Sequence, residues 1–227
     1  MELVENGVDR KIRCTMTTGI TEDTGPSAAG FGIAELLYLL GCYNTPSTAK
    51  TADFLMLPWP STSDDMRVAA TSSLMARDQL KLSDDELVPT GLALALAYAF
   101  GHAVRWINVS FLSDDAPQAA VFLQAPDLAA FLQPRGLGGW FAQIQMPDHS
   151  MAATLAHLAA QHCSQSGNSK VVLSSVADGS PARNVVLRPA GKNWEAALSN
   201  GDDRAVPLAS TLTTEEVEAM LNEQLLG

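Results

Sequence analysis

Residues Thr90–Ala103, TGLALALAYAFGHA, run without a single Asp, Glu, Lys or Arg. The run is shorter than the roughly 20 apolar residues that cross a bilayer. It therefore predicts a helix that is apolar all round and buried on every side. A helix of that kind has to be enclosed by other elements, which commits the chain to a globular core.

The 227-residue chain supplies the material for such a core, with 47% hydrophobic residues and enough length for one large domain or two small ones. A division into an N-terminal arm (1–26), a helical subdomain with a small hairpin (27–103) and an α+β subdomain (104–227) is expected. The 14 Lys and Arg stand against 25 Asp and Glu, a net charge of -11. That balance opposes phosphate backbones and anionic lipid surfaces, so nucleic acid and membrane are not the expected partners. Cys14, Cys42 and Cys163 are odd in number and far apart, unlike a disulfide framework. Cys42 and Cys163 are expected to be reduced and in or near the core. The opening stretch MELVENGVDRKIRCTMTTGITEDTG lacks the apolar segment of a secretory signal, and a cytoplasmic protein is expected. This stretch reads as a disordered arm, and Met16, which opens a Thr- and Gly-rich run, is a second candidate start.

Phe31, Ile33, Leu36, Leu37 and Leu40 recur at helical spacing and predict a first helix over 27–43, with Ser27 as cap. Pro46, Pro58 and Pro60 mark 44–63 as a connection that packs through Phe54, Leu55 and Trp59. Ser63, followed by Asp64 and Asp65, opens a second helix, because acidic residues favour the positive end of the helix dipole. LKLSDDELVP over 80–89 reads as a hairpin with an acidic turn. Beyond Val104, VRWINVSFL and AAVFLQ read as strands, DLAAFLQ over 127–133 as a short helix, and GLGGWFAQIQM as a third strand. A helix over 150–163, ended by Gly167, precedes four strand-like pieces separated by Asp-Gly, Ala-Gly and Asn-Gly-Asp turns. Thr213 and Glu216 occupy capping-box positions for a last helix to Leu226.

The fold class expected from this order is α+β, a mainly helical N-terminal half followed by an antiparallel sheet backed by helices. The order helix, helix, hairpin, helix over Ser27–Ala103 resembles a winged-helix unit in layout. The mixture of strands and helices with a strand-rich end and a final helix is loosely similar to actinobacterial secretion-associated chaperones, a similarity of layout that no motif carries.

Catalytic and metal signatures are sparse. His149 and His157 lie two helical turns apart, about 12 Å along an axis, too far to share one ion. His162 and Cys163 are neighbours that point in different directions on a helix. His102 suits the negative end of the buried helix. No nucleophile elbow, S-x-x-K or Cys-His pairing appears in a recognisable context. The pairs Asp64-Asp65, Asp84-Asp85, Asp114-Asp115 and Asp202-Asp203 fall in predicted turns or a first helical turn, where Asp is favoured locally. The glycines at 30–32 and 136–139 lack the strand-loop-helix setting of a dinucleotide fingerprint.

Elimination favours a protein-binding adaptor or chaperone-like module over an enzyme, with another protein as partner and no cofactor or metal. Trp59, between prolines in MLPWPS, is a candidate interface anchor, with Phe54 and Trp140 as further candidates. A small-molecule site or active site in a pocket between the two halves is the first alternative. A winged-helix regulator is the second, and it would require Arg67, Arg77 and Lys81 to converge on one face.

Overall fold

A computed structural model describes residues 28–60, 63–113, 117–145, 150–165, 169–199 and 205–227. The apolar run forms helix α4 (Gly91–His102), buried from Leu92 to Gly101 except at Leu94 and Ala95. It lies against a nine-stranded antiparallel sheet. The strands are β1 (Ala28–Gly32), β4 (Arg105–Leu112), β5 (Gln118–Gln124), β6 (Ala129–Pro134), β7 (Gly139–Gln145), β8 (Lys170–Ala177), β9 (Arg183–Ala190), β10 (Asn193–Ser199) and β11 (Ala205–Leu212). Their order is β1-β7-β6-β5-β4-β8-β9-β10-β11. A separate hairpin pairs β2 (Leu80–Ser83) with β3 (Glu86–Pro89). Its turn is made by Asp84 and Asp85, both at positive φ, a conformation that Asp tolerates better than most residues.

Two helical layers cover this sheet, one on each face, and they are offset. On the first face, α1 (Ile33–Leu40), α2 (Pro46–Phe54), α3 (Asp64–Ala76) and α4 enclose a core with Phe31, Trp106, Leu123, Leu132 and Trp140. That core reaches across β1, β7, β6, β5 and β4 and includes no buried residue from β8, β9 or β10. On the second face, α5 (Met151–Gln165) and α6 (Thr214–Leu221) pack on Ile107, Val109, Phe122, Leu173, Val185, Leu187 and Trp194. This core spans β5, β4, β8, β9 and β10. The period-two alternation of β4 makes the offset possible, since Trp106 faces the first core while Ile107, Val109 and Phe111 face the second.

This architecture corrects the expected fold class, a mainly helical N-terminal half followed by a sheet. Strands and helices interleave, and β1, from the N-terminal half, pairs with β7 in the main sheet. The first predicted helix begins only at Ile33. Its predicted first turn is strand, because Phe31 and Trp140 pair across β1 and β7 and Phe31 is buried in the core. The winged-helix layout fails for the same reason, since these helices form a layer on a large sheet. The proline-marked connection contains α2, in which Pro46 takes the first position and the Thr45 hydroxyl accepts the Thr48 amide. The segment predicted as a short helix over 127–133 is β6, paired on both sides by β5 and β7, so long-range ladders override a local pattern.

Other local readings hold. Ser63 accepts the Met66 amide at the start of α3, and Thr213 and Glu216 form a reciprocal capping box on α6. A π-helical turn, Asn222–Leu226, follows α6. Arg105 donates to the Leu225 carbonyl at 2.7 Å and Arg183 to the Gln224 carbonyl at 3.4 Å, which ties this turn to β4 and β9. The predicted arm over 1–26, Cys14, the Ser27 cap, the Asp114-Asp115 turn, His149, the Gly167 stop and Asp202-Asp203 lie outside the described residues.

Candidate functional site: a trough at the margin of the first helical layer

The offset of the layers leaves the first face of the sheet uncovered beyond β4. Side chains opposite one another in antiparallel strands share a face. Asn108 and Ser110 of β4 are opposite Ser174 and Val172 of β8, which are opposite Asn184 and Val186 of β9. All six are half-buried, whereas Leu173 and Val185, pointing the other way, are fully buried under α5 and α6. The uncovered surface is thus a mixture of valine methyls and short polar groups.

Where this surface meets the end of α2, a trough of about 460 Å³ opens. Asn108, Ser110 and Val121 line the sheet side, Phe54 and Met56 the α2 side, and Trp140 one end. Met56 is 88% exposed and holds a φ of 52°. A non-glycine residue at positive φ is costly unless its surroundings enforce it. Here the Met56 amide bonds the Asp53 carbonyl and the Leu57 amide the Ala52 carbonyl, closing the end of α2 in a tight turn. The turn holds a large apolar side chain out in solvent above the trough.

Phe54 and Trp140 are brought together at the trough, and Trp59 is not among its lining residues. The Phe54 ring sits 6.1 Å from that of Trp106, and Trp140 is 9% exposed within the first core. Trp59 is half-buried against the first core, its ring beside Gly41 at the end of α1. Met56 escaped the sequence reading. Its signal was its place in FLMLPW, immediately after a helix that the prolines concealed.

Beneath the trough, α2 is fixed by hydroxyls. Thr51, fully buried, donates to the Phe100 carbonyl at 3.3 Å and accepts the Trp106 indole N–H at 2.9 Å. Thr45 donates to the Gly101 carbonyl and Ser47 to the Ala103 carbonyl, so α2 satisfies backbone acceptors that the end of α4 leaves open. Gly101 is required here, because a Cβ at that position would stand 2.5 Å from the Tyr43 ring. Lys50 lies over the Trp106 ring, 4.1 Å from its centroid.

Titratable groups elsewhere have structural roles. The Tyr98 hydroxyl donates to Asp127 at 2.7 Å, joining α4 to the β5–β6 turn. Burial, reinforced by the Asp127 carboxylate, pushes its phenol up to about 12. His102 stacks on Tyr98 and meets Tyr43 edge-on, and its Nδ1 lies 3.2 Å from the Tyr98 carbonyl. Burial raises the Cys163 thiol, the opposite of what nucleophilic activation needs. Burial lowers Arg105, with the neighbouring charge of Arg183 acting in the same direction. Arg77 is bound to Glu35 and Arg67 to Asp64. Among the described residues no group of three or more His, Cys, Asp or Glu could hold a metal ion. Among them, no helix is long and apolar enough to cross a membrane.

No known family profile matches the sequence, and no curated protein matches it. Among solved structures, the chain is similar to the type VII secretion system chaperone EspG5 of Mycobacterium tuberculosis, determined in complex with a PE25-PPE41 dimer. The identity is 10% and the TM-score 0.49, over 88% of this chain and 98% of that one.

Proposed function

We propose that this chain is a cytoplasmic protein-binding adaptor of the chaperone-like kind, and that its partner docks in the trough and along the uncovered first face of the sheet. The observation that carries this reading is Met56, held almost fully exposed by a positive-φ turn above a trough floored by Val121 and walled by Phe54 and Trp140. Exposed apolar groups beside a concave apolar surface are the common mark of a protein interface. The half-buried valines and short polar side chains of β8 and β9 extend that surface without a charged barrier at positions 172, 174, 184 and 186.

The test is affinity capture from lysate of the native host, at about physiological salt, comparing wild type with a Met56→Asp/Ala119→Asp variant. Met56 and Ala119 are exposed and line the trough, so the variant alters the surface without opening the core. Its thermal midpoint should match wild type. A partner recovered in stoichiometric amount by wild type and lost by the variant is the expected result. Equal recovery by both chains, or no stoichiometric partner, would overturn the reading.

A further inference from the structure

Most of the basic side chains in the fold already have a partner. Lys50 is ion-paired with Asp178, Arg67 with Asp64 and Arg77 with Glu35. Arg77 also donates to the Gly30 carbonyl of β1 at 2.7 Å, and Glu35 accepts the Gly32 amide at 2.8 Å. Arg105 and Arg183 bond the carbonyls of the π-helical turn, and Arg135 lies over the Phe141 ring, 5.6 Å from its centroid. With 25 acidic residues against 14 basic ones, carboxylates are plentiful, so a lysine or arginine left without one is the exception. Among the described residues Lys81, Lys170, Arg188 and Lys192 make no ion pair.

The last three of these gather at one corner of the uncovered first face. Val171 and Leu187 pair across β8 and β9 and are buried on the second face. Lys170 and Arg188, one residue beyond each, therefore take the next opposed position and point to the first face. Lys192 is exposed in the β9–β10 turn at the same end of the sheet. Glu195 of β10 is opposite Arg188 and is the one acidic side chain on the described part of β8, β9 and β10. Like charges opposed on neighbouring strands repel, and an anion placed between Lys170 and Arg188 removes that repulsion.

This corner adjoins the trough. Ser110, on the sheet side of the trough, is opposite Val172, and Lys170 is its diagonal neighbour, about 7–8 Å away. The trough carries a single charged residue, Asp53, which is exposed on the α2 wall. A carboxylate is thus repelled at the α2 side and attracted at the β8–β9 side, with Ser110, Val172 and Val186 between.

We infer that the occupant of this surface is an acidic amphipathic segment of a partner protein, whose apolar side chains enter the trough and whose Asp or Glu side chains meet Lys170 and Arg188. The inference rests on the docking surface proposed above and gives its occupant a chemistry and an orientation. A nucleic acid or an anionic bilayer fits less well, because its charge extends far beyond three cations and meets a chain of net charge -11.

The probe is a phage-displayed library of random peptides of about sixteen residues, long enough for four helical turns, panned against the full chain. Synthesised binders are measured by fluorescence anisotropy against wild type, Arg188→Glu, Lys81→Glu and Met56→Asp/Ala119→Asp. Arg188→Glu removes one cation and sets a carboxylate opposite Lys170, so both are withdrawn from the partner. Arg188 is exposed, and the variant should melt as wild type does. Lys81→Glu makes the same change in net charge on the separate hairpin. The binders should combine apolar residues with Asp or Glu. They should bind Arg188→Glu at least about ten-fold more weakly, a loss that shrinks as salt rises, and bind Lys81→Glu as they bind wild type. A library without acidic binders would overturn the inference, as would equal binding by wild type and Arg188→Glu. Where peptides of that kind are still lost by Met56→Asp/Ala119→Asp, the docking surface stands and only its occupant is reassigned; peptides indifferent to both variants sink the two together. Arg188-dependent binding to phosphatidylserine vesicles, or a wild-type dimer that Arg188→Glu dissociates, would also overturn the inference, assigning the corner to lipid or to a second copy.

Discussion

The two helical layers rest on the same sheet through apolar cores and differ in where their polar side chains bond. In the first, they cross-link the helices to one another. Thr45, Ser47 and Thr51 reach backbone carbonyls of α4 and the segment after it, Gln79 accepts the Ala93 amide, and Thr90 donates to the Asp78 carbonyl. In the second, they come from the sheet: Gln145 bonds Thr154, and Arg105 and Arg183 donate to the Leu225 and Gln224 carbonyls, around packing by Leu155, Ala159, Val217 and Leu221. Hydrogen bonds demand specific geometry and leave costly orphans when broken, whereas apolar contacts tolerate small shifts. The α2 wall of the trough is therefore placed by bonds to α4 as well as by packing.

The contrast can be broken most forcefully at Trp106, 1% exposed and bonded to Thr51. Trp106→Ala removes a large core side chain and orphans the Thr51 contact, and is expected to cost about 3–5 kcal/mol in urea unfolding. A matched pair of isosteric changes sharpens the comparison. Thr51→Val leaves the Trp106 indole N–H unpaired inside the core, a loss of about 1–3 kcal/mol. Thr154→Val, at the half-buried edge of the second layer, should stay within about 0.5 kcal/mol. Equal losses would mean that the two layers are held alike.

A smaller loss than at Trp106 or Thr51 is expected at Tyr98. Tyr98→Phe removes one hydrogen bond to a carboxylate and should cost about 1 kcal/mol near neutral pH. The folded state holds the Tyr98 proton more tightly than the ordinary value of 10, up to about 12. Its contribution is therefore fully present below pH 10 and is lost as the pH rises through 12. The stability gap between wild type and Tyr98→Phe should narrow over that interval, and the wild-type ultraviolet titration should contain a phenol ionising near pH 12 that the variant lacks. A gap that widens with pH would contradict the Tyr98–Asp127 link.

Local chemistry was legible wherever it dominated. The Ser63 and Thr213 caps, the Asp84-Asp85 turn and the uncharged run of α4 each follow from residues within a few positions of one another. Long-range pairing was not. Phe31 satisfies a helical spacing, and only its partner Trp140 on β7 decides that it belongs to a strand. Phe131 and Leu132 likewise look helical until β5 and β7 flank them. In α2, PSTAKTADF has too few apolar residues to announce a buried helix, because its inward positions are threonines bonded to α4 and β4. Of the trough, Phe54 and Trp140 could be picked out as aromatic candidates, while the uncovered face depends on the offset of two layers, which no local pattern encodes.

The ion pair over β1 has a consequence for assembly. A sheet with two free margins is a bifunctional unit, and bifunctional units polymerise, each addition regenerating the site for the next. Arg77 and Glu35 occupy the Gly30 carbonyl and the Gly32 amide of β1, so a strand added at that margin would first have to displace the ion pair.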